Sequence, residues 1–300
     1  MNKEVIVFGG SGFLGSHLAD ALSEKRYNVT IFDSRVSRYL RSDQKFVQGD
    51  IEDSELVFSA VKGKNIIYNF AGLSDLDDAI AKPVETVAKN IVGTVNLLEA
   101  GVKAGVERFI FASTIYVYSG LGGFYRCSKQ AGELYVEEYQ NKLGLDFTIL
   151  RYGSLYGPRA DERNSIWRYL KQGLEEGKIT YGGTGEEVRE FIHVRDAAKL
   201  SVDILSEEFK NQHVIISGHH PTKSKDLLNM IREILNHNVD IDLSGPVNQA
   251  HYNLTPYMFI PKIGKKLVSS CYVDMGQGLL ECLQELSNAF HKKKKFGGKV

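Results

Sequence analysis

Val5-Ile6-Val7-Phe8-Gly9-Gly10-Ser11-Gly12-Phe13-Leu14-Gly15 is the stretch that decides the fold. Its first four residues are continuously apolar, the pattern of a strand covered on both faces. The glycines follow at once, and Leu14, Leu18, Ala21 and Leu22 then recur at helical spacing. A strand-turn-helix of this kind needs small residues at set points. Gly9 permits the turn, Gly12 lets backbone approach a pyrophosphate, and Gly15 lets the helix pack closely on the sheet. The helix N-terminus offers N–H groups and the positive end of its dipole to the anion. Asp33 closes the second strand, where a carboxylate accepts hydrogen bonds from a ribose diol and repels a 2′-phosphate. NAD is therefore expected in preference to NADP, with Arg35 partly offsetting the repulsion.

Outward from this unit, strand and helix alternate. Apolar runs at 29–33, 46–47, 66–69, 108–112 and 147–151 predict strands, and helical spacing predicts helices over 54–61, 84–104 and 125–143. Gly144 sits where the last of these needs its stop. The expectation is an α/β fold, a doubly wound parallel sheet of Rossmann type over 1–160. Beyond Gly157-Pro158 the pattern changes. Helices are predicted near 164–175, 196–206, 224–236 and 276–290, strands at 191–194 and 214–216, and a turn at Gly182-Gly183. This reads as a smaller C-terminal substrate-binding lobe over 161–300, with segments near 190–217 returning to the first sheet. The lysine-rich tail after His291 reads as a solvated terminus.

The chain has 300 residues, with 37 Lys+Arg against 37 Asp+Glu and 43% hydrophobic residues. These values exclude a wholly disordered or collagen-like chain. A formal charge of zero gives no global field toward nucleic acid or an acidic membrane surface. No apolar run reaches the roughly 18 residues of a membrane span, and the first strand begins too early to leave room for a signal peptide. Cys127, Cys271 and Cys282 are odd in number and form no CxxC pair. The expectation is a reducing, cytoplasmic setting without a zinc site or disulfide framework.

Tyr125 and Lys129 lie four apart in a helical stretch and share a face. Thr114 follows the fifth strand, at the carboxyl edge where Gly9 to Gly15 would hold a dinucleotide. Together they suggest proton chemistry coupled to hydride transfer. Tyr125 would take a proton from a substrate hydroxyl held by Thr114, and Lys129 would stabilise the phenolate and anchor the nicotinamide ribose. Lowering a phenol from near 10 toward 7 requires about 4 kcal/mol. The bland alternative is a Tyr and a Lys on a partly exposed helix face. Gly49-Asp50 after the third strand would place a carboxylate near an adenine amino group, or is an ordinary loop acid. Ala71 and Gly72 after the fourth strand would let a cofactor ribose pass close to the backbone.

Further motifs lie in order along the chain: Asn90-Ile91-Val92-Gly93-Thr94, Ser113-Thr114-Ile115-Tyr116, Tyr125-xxx-Lys129, Leu150-Arg151-Tyr152 leading to Tyr156-Gly157-Pro158, and Arg189-Glu190-Phe191-Ile192-His193-Val194-Arg195-Asp196. With the glycine motif they resemble the extended short-chain dehydrogenase/reductases, the NAD-dependent nucleotide-sugar epimerase/dehydratase group, over the chain to about residue 285. The resemblance implies a Rossmann-type lobe, a smaller lobe for a nucleotide diphosphate sugar, and homodimers built through the helices near 84–104 and 125–143. It makes Thr114, Tyr125 and Lys129 the catalytic trio. The expected cofactor residues are Gly9, Gly12, Phe13, Leu14, Gly15, Asp33, Ser34, Asp50, Ile51, Ala71, Gly72 and Asn90, with Tyr125 and Lys129. The expected substrate residues are Thr114, Ser154, Asn164 and Arg189. Arg189 matches an arginine that holds the substrate diphosphate; the alternative is a surface ion pair with Glu186 or Glu187.

Three departures shape the function expected. The acid and base that 4,6-dehydratases carry after the catalytic threonine are here Ile115 and Tyr116, so dehydration is not expected. The loop from Thr114 to Tyr125 is short and, with Gly120, Gly122 and Gly123, reads as flexible, leaving room for a larger sugar such as a heptose. The family's usual asparagine after Arg151-Tyr152-Gly153 is Ser154. What remains is NAD-dependent oxidation at a secondary hydroxyl, C4, of a nucleotide sugar, as a 4-epimerase or a 4-dehydrogenase. The loosened pocket tilts the expectation toward release of the keto sugar. The competing class is a non-catalytic NAD(H)-binding sensor or scaffold. Asp75, Asp77 and Asp78 read as a capping cluster rather than a metal site. His219 and His220 read as turn residues, Cys127 as a small helix residue, and Trp167 and Tyr169 as core or interface.

Overall fold

Apolar strands without polar alternation need cover on both faces, and this chain supplies it in two layers of helix. The computed structural model describes residues 3–245 together with Asn253, Leu254 and Pro256. In chain order the first half runs β1 (Glu4–Phe8), α1 (Phe13–Glu24), β2 (Asn28–Asp33), β3 (Lys45–Gln48), α2 (Ser54–Val61), β4 (Ile66–Asn69), α3 (Leu76–Ala81), α4 (Pro83–Val87), α5 (Gly93–Ala104), β5 (Arg108–Thr114), α6 (Gly123–Leu143) and β6 (Phe147–Tyr152). It continues with β7 (Ser154–Tyr156), α7 (Ser165–Glu176), β8 (Lys178–Thr180), β9 (Val188–His193), α8 (Val194–Asp203), β10 (Gln212–Ile216), β11 (Pro221–Lys223), α9 (Ser224–Ile234) and β12 (Asp240–Asp242). The helix expected near 276–290, Cys271, Cys282 and the lysine-rich tail lie outside the described residues.

Among the described residues the main sheet has seven strands in the order β10-β6-β5-β4-β1-β2-β3, every neighbouring pair parallel. The period of two along each strand splits the core. Val5, Val7, Ile31 and Ile110 face one layer, where Leu18, Leu22, Ala197 and Val202 of α1 and α8 cover them. Ile6, Phe8, Phe32 and Phe111 face the other, under Val57, Leu97, Leu98 and Val136 of α2, α5 and α6. The strand order reverses between β1 and β4, the point where open α/β sheets leave a crevice at their carboxyl edge.

Local chemistry ends the helices as expected. Gly105, Gly144 and Gly177 stop α5, α6 and α7 in the left-handed conformation. Asp53 and Asp75 cap α2 and α3 through their side chains. Thus Asp75 of the acidic cluster is a cap. Two expectations need correction. The helix predicted over 84–104 is interrupted: a π-helical turn at Ala88–Val92 separates α4 from α5. The loop after Thr114 is pinned rather than flexible. It forms a 3₁₀ turn at Ile115–Tyr118, and Arg126 and Gln130 of α6 hydrogen-bond the carbonyls of Ser119 and Val117 at 2.9 and 2.8 Å.

The later strands form smaller sheets. β9 joins β7 and β11, and β8 pairs with β12, around Ile179, Tyr181, Leu228, Ile231 and Val239. β10 instead returns to the main sheet beside β6. Among the described residues no helix is long and apolar enough to cross a membrane.

Candidate active site

The glycine loop is built around two close approaches. Gly9 has φ +77°, and a Cβ there would lie 2.5 Å from the Phe70 carbonyl carbon beyond β4. A Cβ at Gly15 would collide with the Gly9 carbonyl oxygen. Gly12 differs: its Cβ would meet only the Gly9 carbonyl, at 3.3 Å. Gly12 also caps α1 with no side-chain hydrogen bond, so the first turn, with Phe13, Leu14 and Gly15, lacks the partner that Asp53 gives α2. A backbone cradle open beside Gly12 and an uncapped helix start fit the diphosphate of a dinucleotide.

Asp33 orders the same loop. Its carboxylate accepts the amides of Ser11 and Arg35, each at 3.0 Å, and the adjacent Ser34 carbonyl accepts from Gln48. Asp50 lies in the loop after β3. Its carboxylate accepts from the Lys89 ammonium and from the Glu52 amide, so in the chain itself it is an ion-paired loop acid. Ile51 is buried under Gly93, where a larger residue would clash with it.

Asn90 also has partners within the chain. It is buried in the π-helical turn. Its amide oxygen accepts the Leu73 amide at 2.8 Å, while its nitrogen donates to the Leu73 carbonyl and to Ser128 Oγ at 2.9 Å each. Gly72, at φ +141°, lies against that amide. Asn90 therefore ties the segment beyond β4, including Ala71 and Gly72, to α6 one residue before Lys129. Helices that carry an extra residue in one turn recur at functional sites. Ser128 was not foreseen from sequence, since a serine inside a helix carries no signal by itself.

Thr114 is the last residue of β5 rather than a residue beyond it. Its hydroxyl hydrogen-bonds the Tyr125 hydroxyl and accepts the Tyr116 amide at 3.3 Å. Tyr116 packs edge-on to Tyr125 with ring centroids 6.5 Å apart. The Lys129 ammonium donates to the Ala112 carbonyl at 2.8 Å and sits 4.9 Å from the Phe111 ring and 5.9 Å from the Tyr125 ring. Burial pushes the Tyr125 phenol up to about 12 despite the Thr114 hydrogen bond, and pulls the Lys129 ammonium down to about 8 against the opposing charge of Glu133. The structure thus brings the sequence-predicted trio together at the carboxyl edge of the sheet.

The shifted Lys129 has a thermodynamic consequence. Its ordinary value is 10.5, so between pH 8 and 10.5 the unfolded chain binds more protons and stability rises with pH. Below pH 8 the cost of burying the ammonium is fully present. Tyr125 acts in the opposite sense and higher: the unfolded phenol ionises from 10 while the folded one resists to about 12, so stability falls across that range. We expect Lys129→Met to gain about 2–3 kcal/mol at pH 7 by urea denaturation, the gain fading toward pH 10.5. A midpoint unchanged at every pH would mean that the ammonium is not held against its solvation.

The predicted substrate residues are less concentrated. Asn164 caps α7, accepting the Trp167 amide at 3.2 Å and donating to the Leu155 carbonyl at 2.7 Å, so its amide has a structural task. Ser154 opens β7 and Arg189 lies on β9, in register with Thr222. Nearby, Glu186 pairs with Lys223 and Lys225, and Glu187 accepts from Tyr181, Thr184 and Gly185. Tyr169 packs edge-on to Tyr181 in the small core, and the Lys171 ammonium lies over Trp167. Cys127 is an exposed free thiol.

A model of the NAD dependent epimerase/dehydratase family matches residues 5–217. The putative UDP-glucose 4-epimerase of Methanocaldococcus jannaschii is 28% identical over 249 residues, covering 76% of this chain and 81% of that one. The dTDP-D-glucose 4,6-dehydratase of Bos taurus is 28% identical over 262 residues, covering 77% and 74%. Among solved structures, the UDP-glucose 4-epimerase of Thermotoga maritima, determined with UDP-glucose, superposes with a TM-score of 0.79 at 26% identity, covering 85% of this chain and 90% of that one.

Proposed function

The chain belongs to the NAD-dependent epimerase/dehydratase family, and from that premise we propose that it interconverts the C4 epimers of a nucleoside-diphosphate sugar. The observation that carries this reading is the hydrogen bond between the Tyr125 and Thr114 hydroxyls, with the Lys129 ammonium one turn along the same helix. Tyr125 takes the proton of the C4 hydroxyl while Thr114 holds that hydroxyl in place, and Tyr125 returns the proton after the keto sugar has turned. NAD, which the glycine loop and Asp33 would hold, would supply a hydride acceptor at C4 and a positive ring that favours the phenolate. Moving a phenol held near 12 to act at pH 7 requires about 7 kcal/mol of selective stabilisation. The Lys129 charge, in a site that excludes water, supplies the chain's share.

Epimerisation is favoured over dehydration because Ile115 is buried and Tyr116 packs edge-on to Tyr125 where an acid and a base would be needed. It is favoured over release of the keto sugar by the 4-epimerases among the relatives and by a pinned loop that holds the pocket wall. The smaller lobe would hold the sugar nucleotide, with Arg189 on its diphosphate. A reducing, cytoplasmic setting is proposed as well, on the odd number of cysteines and the lack of a CxxC pair in the sequence. The test is proton NMR of UDP-glucose, UDP-glucuronic acid and UDP-N-acetylglucosamine incubated with protein and NAD. An equilibrium mixture of C4 epimers from one of them is expected. Loss of the C6 hydroxyl, or no change in any, would overturn the assignment.

We propose a homodimer as well. Support comes from large apolar side chains left exposed on adjoining helices: Val84 at 82% and Val87 on α4, and Leu134 at 63% and Tyr135 on α6. Leu134→Glu is expected to sediment as a folded monomer; a wild-type protein already monomeric at micromolar concentration would remove the proposal.

A further inference from the structure

Helix α6 turns one more charged group toward the sheet. Glu133 follows Lys129 by one helical turn, and both are only 6% exposed. One Glu133 oxygen accepts from the Ser113 hydroxyl at 2.5 Å and from Arg151 Nε at 2.9 Å, and the other from Arg151 Nη2 at 2.5 Å. Ser113 and Arg151 are register partners on β5 and β6, one step before the pair Thr114 and Tyr152. The remaining guanidinium nitrogen, Nη1, donates to the Tyr118 hydroxyl at 2.5 Å, in the turn that follows Thr114. A rigid guanidinium fork therefore joins α6 to the strand residue before Thr114 and to the turn after it. Buried ion pairs are dear to build, and the proton chemistry described above makes no direct use of this one.

We propose that Glu133 is a positioning residue of the active site: clamped by Ser113 and Arg151, its carboxylate fixes α6 so that Tyr125 meets Thr114, and sets a negative charge one helical turn from Lys129. The inference rests on Tyr125 and Lys129 acting as the proton-transfer pair. The groups facing Lys129 are Tyr125 and Glu133 from α6 and the Ala112 carbonyl and Phe111 ring from β5. Those facing Glu133 are Ser113, Arg151, Tyr118 through Arg151, and, from β10, His213, whose Nδ1 lies 4.0 Å away while Nε2 reaches Glu137 at 2.9 Å.

The test reads Lys129 directly, by NMR of ¹³C-labelled lysine with the signal assigned by its loss in Lys129→Met. In Glu133→Gln the Lys129 titration midpoint should fall by about one pH unit, and the alkaline limb of kcat should move down with it while KM stays put. Glu133→Asp keeps the charge but shortens the reach, so the midpoint should return toward wild type while kcat stays low. If Glu133→Gln alone fails to fold, Ser113→Ala loosens the clamp with the ion pair intact, and kcat should then fall while KM stays put; kcat unchanged would overturn the proposal. A folded Glu133→Gln variant whose Lys129 midpoint is unmoved also overturns it. A shifted midpoint in a protein that turns over no nucleotide sugar supports it and defeats the epimerase reading instead.

Discussion

Tyr125→Phe should lower kcat by about 10³-fold or more while leaving NAD affinity unchanged. The substitution removes one oxygen. The ring keeps its edge-on contact with Tyr116, and the lost hydrogen bond is shared with Thr114, which retains the Tyr116 amide as a partner. Fold and cofactor cradle are therefore spared, and only the proton acceptor is gone. Removing the phenol also removes an ionisable group held near 12, so the fall in stability between pH 10 and 12 should be reduced. Steady-state turnover, NAD titration calorimetry and urea melts on one preparation check all three. A non-catalytic NAD(H)-binding scaffold predicts a different result: nothing that depends on NAD should change. Retained turnover would instead place the proton transfer on another group, and the Thr114 hydroxyl is the next candidate by position.

The chain announces its first half clearly because that half obeys local rules. Val5 to Phe8 is apolar on both faces, and both faces are buried; Gly9 and Gly15 stand where close backbone approaches need them, and Gly12 where the loop is left open. Tyr125 and Lys129 were legible because helical spacing is local. What was not legible depends on residues far apart in sequence. Glu133 has the same spacing to Lys129 that Lys129 has to Tyr125, yet its meaning lies in Ser113 and Arg151 on two other elements. Asp50 read equally as an adenine contact or a loop acid, and its pairing with Lys89, 39 residues on, carried no local signal. The π-helical turn at Ala88–Val92 leaves the apolar spacing of 84–104 almost intact, so periodicity alone could not expose it. The glycines after Ser119 suggested mobility, but Gly122 and Gly123 take positive φ to start α6, and Arg126 and Gln130 hold the turn before them.

Two alanine substitutions in the glycine loop should fail in opposite ways. At Gly15 a Cβ runs into the Gly9 carbonyl oxygen and lies 3.0 Å from Gly10 Cα. Both obstacles are backbone, so the start of α1 must move away from the turn. Gly15→Ala is expected to cost about 2–3 kcal/mol of stability, with cofactor binding lost as a consequence. At Gly12 the backbone is extended, at φ −75° and ψ 178°, and a Cβ meets one oxygen at 3.3 Å. Gly12→Ala should therefore fold within about 1 kcal/mol of wild type. The methyl group projects into the space that the diphosphate would approach, so NAD affinity should fall about 100-fold, equivalent to about 2.7 kcal/mol. Urea midpoints and NAD titrations on the two variants separate packing from binding. If Gly12→Ala bound NAD as tightly as wild type, the dinucleotide could not cross the start of α1, and the route from glycine loop to Tyr125 would have to be redrawn. If Gly15→Ala proved as stable as wild type, the close approach of α1 to the turn would not be a condition of the fold.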